Sequence, residues 1–249
     1  VAWTWRAGGP AVPNTDGTIT SQVSANTDYG FSIVTYSGDG SGTANSDSGD
    51  TFGHGLGTAP DWVICKKRTG TNGWPVYHSA APTGALVLNS SAANDSSSFL
   101  FAKKDPTSTV VYLGNNPEIN KTGDDYVAYC WSEVSGYSKF GSYTGNNSST
   151  GPVVDVGFRT RWIMIKRADG VGNWIIYDTE RDGATDNTKR LYANTNSAEV
   201  DNSGYRLDIT DTTFQPKSTN DNFNAASSYI YAAFADRPGN NWDVNNIVT

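Results

Sequence analysis

The chain has 249 residues, and its 25 acidic against 18 basic side chains leave a net charge of −7, a field that repels nucleic-acid phosphates and anionic bilayers. No apolar run approaches the ~18 residues that cross a membrane, so neither nucleic acid nor membrane insertion is expected of it. The first residues, VAWTWRAGG, lack the form of a signal peptide, and the chain is read as soluble.

Helix formers are scarce, with four glutamates and one methionine, while 12% of residues are aromatic and Gly, Ser, Thr, Asn and Asp crowd the rest. Small polar residues satisfy their own backbone in turns, and aromatics suit pleated surfaces, so the class predicted is all-β. Residues 1–28 read as a Trp-, Gly- and Pro-punctuated arm that packs on the first lobe. That lobe, over 29–134, has strand patterns at 31–36, 62–67, 74–78, 85–89, 98–102, 110–113 and 126–133. A second over 135–237 has them at 137–143, 162–167, 174–178, 190–193, 205–209 and 229–235. That spacing suits β-sandwiches. Two residues, Val134 and Ser135, join the lobes, which predicts rigid docking or a shared sheet. Residues 238–249 form a polar tail, and the Gly/Ser/Asp-rich stretch 38–55 is the longest predicted loop, open to recognition or to a plain solvated role.

The two lobes carry the same text. DWVICKKRTGTNGWPVYH from Asp61 reappears as RWIMIKRADGVGNWIIYD from Arg161, so that Trp62, Lys66, Gly70, Trp74 and Tyr77 recur one hundred residues later. Gly30-Phe31-Ser32 is answered by Gly136-Tyr137-Ser138, and YVAYCWSE from Tyr126 by YIYAAFAD from Tyr229. A block repeating as strand, turn and strand is a folding unit.

Chemistry is sparse. No Gly-x-Ser-x-Gly elbow occurs, and the two histidines, His54 and His78, stand in no metal-ligand spacing and lack repeat equivalents, so no catalytic residue and no metal ligand is predicted. Most aspartates sit in turn contexts; Asp178 and Arg181 read as a strand-end ion pair. Calcium is the one cofactor left open, because the Asp-rich loops offer oxygen ligands without an EF-hand pattern. Cys65 and Cys130 answer to Ile165 and Ala233 and read as small buried hydrophobes, with a disulfide between them as the alternative. The aromatics say more. Alternation puts Trp74 with His78, and Trp174 with Asp178, on one face, and Tyr77 and Tyr177 on the other. An exposed ring beside a polar group suits a sugar, which makes Trp74, Tyr77, His78, Trp174, Tyr177, Asp178 and His54 the candidate ligand-binding residues, against a plain core role for the repeated rings. Trp3, Trp5 and Trp242 lie outside the repeat and are assigned to subunit contacts.

The runs WRAGGPAVPNTDGTITSQVSANTDYGFSIVTYSGDG, HGLGTAPDWVICKKR, YCWSEVSGYSKFGSYTGNNSSTGPVVDVGFRTRWIMIKR and YIYAAFADRP together resemble an uncharacterised duplicated β-domain family of marine bacteriophage, including cyanophage, found in tail-fibre and other virion surface proteins. The resemblance covers nearly the whole chain and departs from the pattern at DITDTTF, 208–214, where an Asn/Gly turn is expected. It implies two tandem concanavalin-like or jelly-roll β-sandwich lobes in a non-enzymatic virion protein. Such a protein is made in the host cytoplasm and assembles with other virion proteins, as a homotrimer where it forms a fibre. The resemblance names no ligand; the leading expectation is that the β-sandwich loops attach to a host surface or glycan. Alternatives are a decoration or connector protein that binds virion subunits alone, and a polysaccharide depolymerase.

Overall fold

Trp62, Val63, Ile64 and Cys65 are consecutive in one strand and all buried. A strand has two faces, so both sides of this one are covered by protein. The computed structural model of the chain describes residues 2–40, 45–81, 83–182 and 186–235, and among them the fold is all-β, built of antiparallel sheets.

The N-terminal half contributes β1 (Val12–Asn14), β2 (Ser21–Asn26), β3 (Phe31–Ser37), β4 (Asp47–Gly53), β5 (Trp62–Lys67), β6 (Pro75–His78), β7 (Leu86–Val87), β8 (Val110–Gly114) and β9 (Asp125–Trp131). The C-terminal half contributes β10 (Ser138–Thr144), β11 (Val154–Asp155), β12 (Thr160–Arg167), β13 (Ile175–Asp178), β14 (Asp186–Asn187), β15 (Lys189–Tyr192), β16 (Val200–Asp201), β17 (Arg206–Ile209), β18 (Thr213–Lys217) and β19 (Ser228–Ala235). The large sheet of the first half runs β1-β2-β3-β9-β5-β6-β7, and that of the second runs β10-β19-β12-β13-β15-β16. The stretch β3-β9-β5-β6-β7 thus has the same order as β10-β19-β12-β13-β15. Smaller sheets, β4-β8 and β11-β18-β17-β14, back them on their outer sides.

Three cores fill the resulting layers. Val34, Phe52, Val63, Tyr77, Val111 and Tyr126 pack between the first large sheet and β4-β8. Ile163, Tyr177, Leu207, Phe214 and Tyr229 do the same in the second half. Between the two large sheets lies the third, made of Phe31, Trp62, Trp131, Phe140, Trp162, Trp174 and Phe234. Trp62 stacks on Trp131 with ring centroids 4.5 Å apart, and its ring centroid lies 6.4 Å from that of Trp162 across the interface. Each large aromatic buries ~150–250 Å², which at ~25 cal/mol per Å² is at most about 4–6 kcal/mol per ring. The halves therefore stack face to face rather than share a sheet. They are also stitched by backbone hydrogen bonds, from Asn94 N–H to the Ala168 carbonyl (2.8 Å) and from Gly172 N–H to that of Ser91 (2.9 Å).

Several sequence expectations change. Residues 98–102 form no strand: Leu100, Phe101 and Ala102 are buried in a turn, with Ala102 and Lys103 at φ 55°. Their apolar run plugs the end of the first core. Within 38–55, β4 pairs with β8, and Gly49 at φ 77° lies within its irregular stretch; residues 41–44 lie outside the described residues. Pairing sets Phe31 opposite Trp131 and Ser138 opposite Phe234, so Phe31 corresponds to Ser138 and not, as the sequence match implied, to Tyr137. At DITDTTF the hairpin closes without Asn or Gly, because the Thr210 hydroxyl accepts the Thr212 and Thr213 N–H groups.

Candidate functional site

The matched strands β6 and β13 carry most of the candidate residues, and alternation sends them to two faces. Tyr77 and Tyr177 enter the inner cores, where their hydroxyls donate to Asp105 Oδ1 (3.0 Å) and to the Tyr205 carbonyl (2.6 Å). Burial raises both hydroxyl pKa values. Neither is a ligand platform. On the opposite face His78 is 2% exposed between the halves. Its Nδ1 accepts the Ala80 N–H, so the proton sits on Nε2 and is donated to the Tyr231 carbonyl at 3.0 Å. Burial is the main cause that pulls its pKa down to about 4, and the bond to Tyr231 opposes it.

Trp174, 2% exposed, donates its indole N–H to the Val87 carbonyl of the other half (3.0 Å). With Met164, Ala232, Trp62 and His78 it encloses a void without space for a water. Asp178 is buried and receives the Trp3 indole N–H at 2.7 Å, with Arg161 Nε 3.7 Å away. The expected Asp178–Arg181 pair does not form; Arg181 meets Glu199. His54 is buried too, its Nε2 facing the Thr107 carbonyl and its pKa lowered by burial. The sequence pattern placed Tyr77, His78, Trp174, Tyr177 and Asp178 on the right faces but could not show that both faces are covered; it assigned His54 to no face.

Trp74 is different. It is half-buried and borders an open groove of about 360 Å³ that crosses the first large sheet. Ile33, Tyr129 and Ile64 come from the three adjacent strands β3, β9 and β5, and Phe31 and Trp131 lie two residues along β3 and β9. Trp74 and Leu88 lie toward β6 and β7, and Thr4 and Trp5 come from the N-terminal arm. The Trp74 backbone is fixed by Asn89, whose Oδ1 accepts its N–H (2.9 Å), and by Leu88, whose N–H reaches its carbonyl (2.9 Å). Lys66 Nζ stands 5.7 Å from its ring centroid and donates to the Asn72 carbonyl. The lining is aromatic and apolar with polar groups at its margin, a form that suits flat amphipathic ligands.

The N-terminal arm explains the opening. Trp3 and Trp5, expected at subunit contacts, pack within the chain: Trp3 edges onto Trp162, and Trp5 onto Trp131, Trp162 and Phe234 with centroids 5.4–5.8 Å apart. Trp62 and His78 close the pocket over Trp174, whereas their counterparts Trp162 and Asp178 are engaged by the arm and leave the groove over Trp74 open. Trp242 lies outside the described residues.

Sequence reading missed a second repeated device. Asn120 and Asn224 are fully buried. Asn120 accepts the Asp39 and Gly40 N–H groups and donates to Asp50, and Asn224 accepts the Asn146 N–H and donates to the Ser148 and Ser218 carbonyls. Each pins the loop that leaves β3 or β10. The neighbouring Ile119 and Phe223 carbonyls accept the Tyr36 and Tyr143 hydroxyls at 2.7 and 2.6 Å. The signal was present as Asn-x-x-Ile-Asn at 116–120 and Asn-x-x-Phe-Asn at 220–224. Cys65 and Cys130 are free and buried, and burial pushes the Cys65 thiol up to about 12. Among the described residues no three His, Cys, Asp or Glu side chains are grouped to hold a metal.

Fold and site together define an all-β protein with one half's aromatic sheet face partly open beside an N-terminal arm. The chain belongs to the family described as a domain of unknown function, DUF7483, which matches residues 1–238. Comparison with curated proteins and with solved structures gives no match.

Proposed function

We propose that this chain is a non-enzymatic attachment module of a phage virion surface protein, and that its Trp74–Tyr129 groove takes a host-surface glycan. The observation that carries the reading is the groove itself, about 360 Å³ over an accessible aromatic floor, in a molecule whose matched Trp62, Trp162, Trp174, Tyr77 and Tyr177 are enclosed. Sugar rings present flat C–H faces to such plates and hydroxyls to nearby polar groups, here Thr4 in the lining and Lys66 and Asn89 beside Trp74. The virion setting rests on the sequence resemblance, and the attachment role on the groove.

The same reading takes the two halves as duplicated concanavalin-like or jelly-roll lobes. Its supports are the common strand order, the paired tyrosine-to-carbonyl bonds and the two Asn-x-x-[Ile/Phe]-Asn turns. Retention on host envelope and on a glycan array tests the function. Wild-type protein is expected to be retained, and Trp74→Ala and Tyr129→Ala each to weaken it by about tenfold or more, equal to ~1.4 kcal/mol. Absence of retention on both would overturn glycan attachment and leave the connector role, and release of reducing sugar would instead establish the depolymerase.

A further inference from the structure

We infer that the outer edge of β10 is an interface at which a second copy of this chain adds its own β10 across a two-fold axis. In the first half the corresponding strand, β3, has neighbours on both sides: β9 on one and β2 on the other, with Ile33 opposite Ser24 and Thr35 opposite Gln22. β10 pairs with β19, and among the described residues no strand pairs with its other side. The chemistry of that side is set by the register. Gly145 N–H bonds the Ser227 carbonyl and Ala235 N–H that of Tyr137, which assigns residues 137, 139, 141, 143 and 145 to β19 in the alternating antiparallel ladder. Phe140, Ser142 and Thr144 therefore aim their N–H and C=O groups outward, and Phe140 and Ser142 occupy the places of Ile33 and Thr35. β2 comes from the segment ahead of β3; Val134 and Ser135 alone separate Glu133 from Gly136 and cannot supply its equivalent.

The Ser138 N–H is taken by the Val134 carbonyl, so the open part of the edge among the described residues runs from Phe140 to Thr144, and such an edge recruits another strand unless charge, proline or a bulge guards it. The charge on β10 is Lys139, and it is drawn to Glu133 at 2.8 Å. A copy laid antiparallel about Gly141 sets Phe140 against Ser142 of the other chain and Lys139 against Tyr143, so no like charges meet. Ser142 and Thr144 are exposed, and Ser142 is small enough to lie beside the Phe140 ring. Gly141, whose Cβ would strike the Tyr231 hydroxyl at 2.6 Å, leaves the axis clear. Such an isologous contact closes on itself as a dimer.

Sedimentation velocity and light scattering across a concentration series test this. The expected result is a concentration-dependent species of twice the monomer mass. Ser142→Pro, which removes an outward N–H without touching the β19 ladder, and Ser142→Lys, which places charge on the edge, are each expected to return it to monomer with melting of the dilute protein unchanged. Either variant suffices if the other fails to fold. A monomer at every concentration, a trimer, or a dimer indifferent to a folded Ser142 variant overturns the proposal.

Discussion

Trp74 and Trp174 hold the same place in matched strands, with the same backbone support: an Asn side chain accepts the N–H of each, Asn89 for one and Asn194 for the other, at 2.9 Å. Their surroundings differ. Trp174 lies under Trp62 and His78 and donates across the interface, whereas Trp74 borders an open groove because the arm has engaged Trp162 and Asp178. Similar sequence at matched places thus serves as a cross-brace in one half and as a surface plate in the other. The physical cause is an offset stack of two similar sheets with a single arm to fill one side.

The comparison breaks most sharply at the tryptophans. Trp174→Ala is expected to cost about 3–5 kcal/mol, the usual range for emptying an enclosed aromatic site, and Trp74→Ala well under half of that, because the groove side of its ring is already open. Denaturant melts of both variants check this, and equal losses would remove the distinction. The next effect is pH dependence at His78. Its folded pKa, about 4, lies below the unfolded value of about 6.5, so the folded state binds the proton less readily. The associated stability is complete above pH ~6.5 and is lost as pH falls toward 4, about 3 kcal/mol in all. A stability–pH curve should show that slope in wild type and a shallower one in His78→Gln; unchanged slopes would show that acid acts elsewhere.

A smaller cost is predicted for Asn120→Ala and Asn224→Ala, about 1–3 kcal/mol each for the buried N–H and C=O groups left unpaired. The two should be alike, since both halves use the same device, and a loss confined to one would mark the other loop as independently held. The smallest effect concerns the thiols. Cys65 and Cys130 should react with a thiol reagent at the rate of opening rather than at the rate of an exposed thiolate, and immediate labelling of the native protein would contradict their burial.

Much of this was legible in particular residues. Trp62, Val63, Ile64 and Cys65 announced a strand through their run of apolar and β-branched types, and Trp74-Pro75-Val76-Tyr77-His78 announced which side chains share a face, because a pleat alternates whatever surrounds it. Leu100 and Phe101 misled, since an apolar pair reads alike in a buried strand and in a turn that plugs a core. Asn120 and Asn224 went unread because Asn in a polar loop looks like any turn residue until its burial is known. The site was less legible than the fold. Nothing in the local text separates Trp74 from Trp174, or says that Trp3 will reach Asp178 from 175 residues away.

By itself, then, the sequence determined the all-β class, most strand positions, the internal repeat and the face of each repeated aromatic, all of which arise from local periodicity and turn chemistry. The tertiary structure alone decided that both faces of the large sheets are covered, that the arm fills one side of their interface, and that Trp74 is left open while Trp174 is enclosed. Those outcomes depend on contacts between distant segments, where packing area and not local preference sets the result.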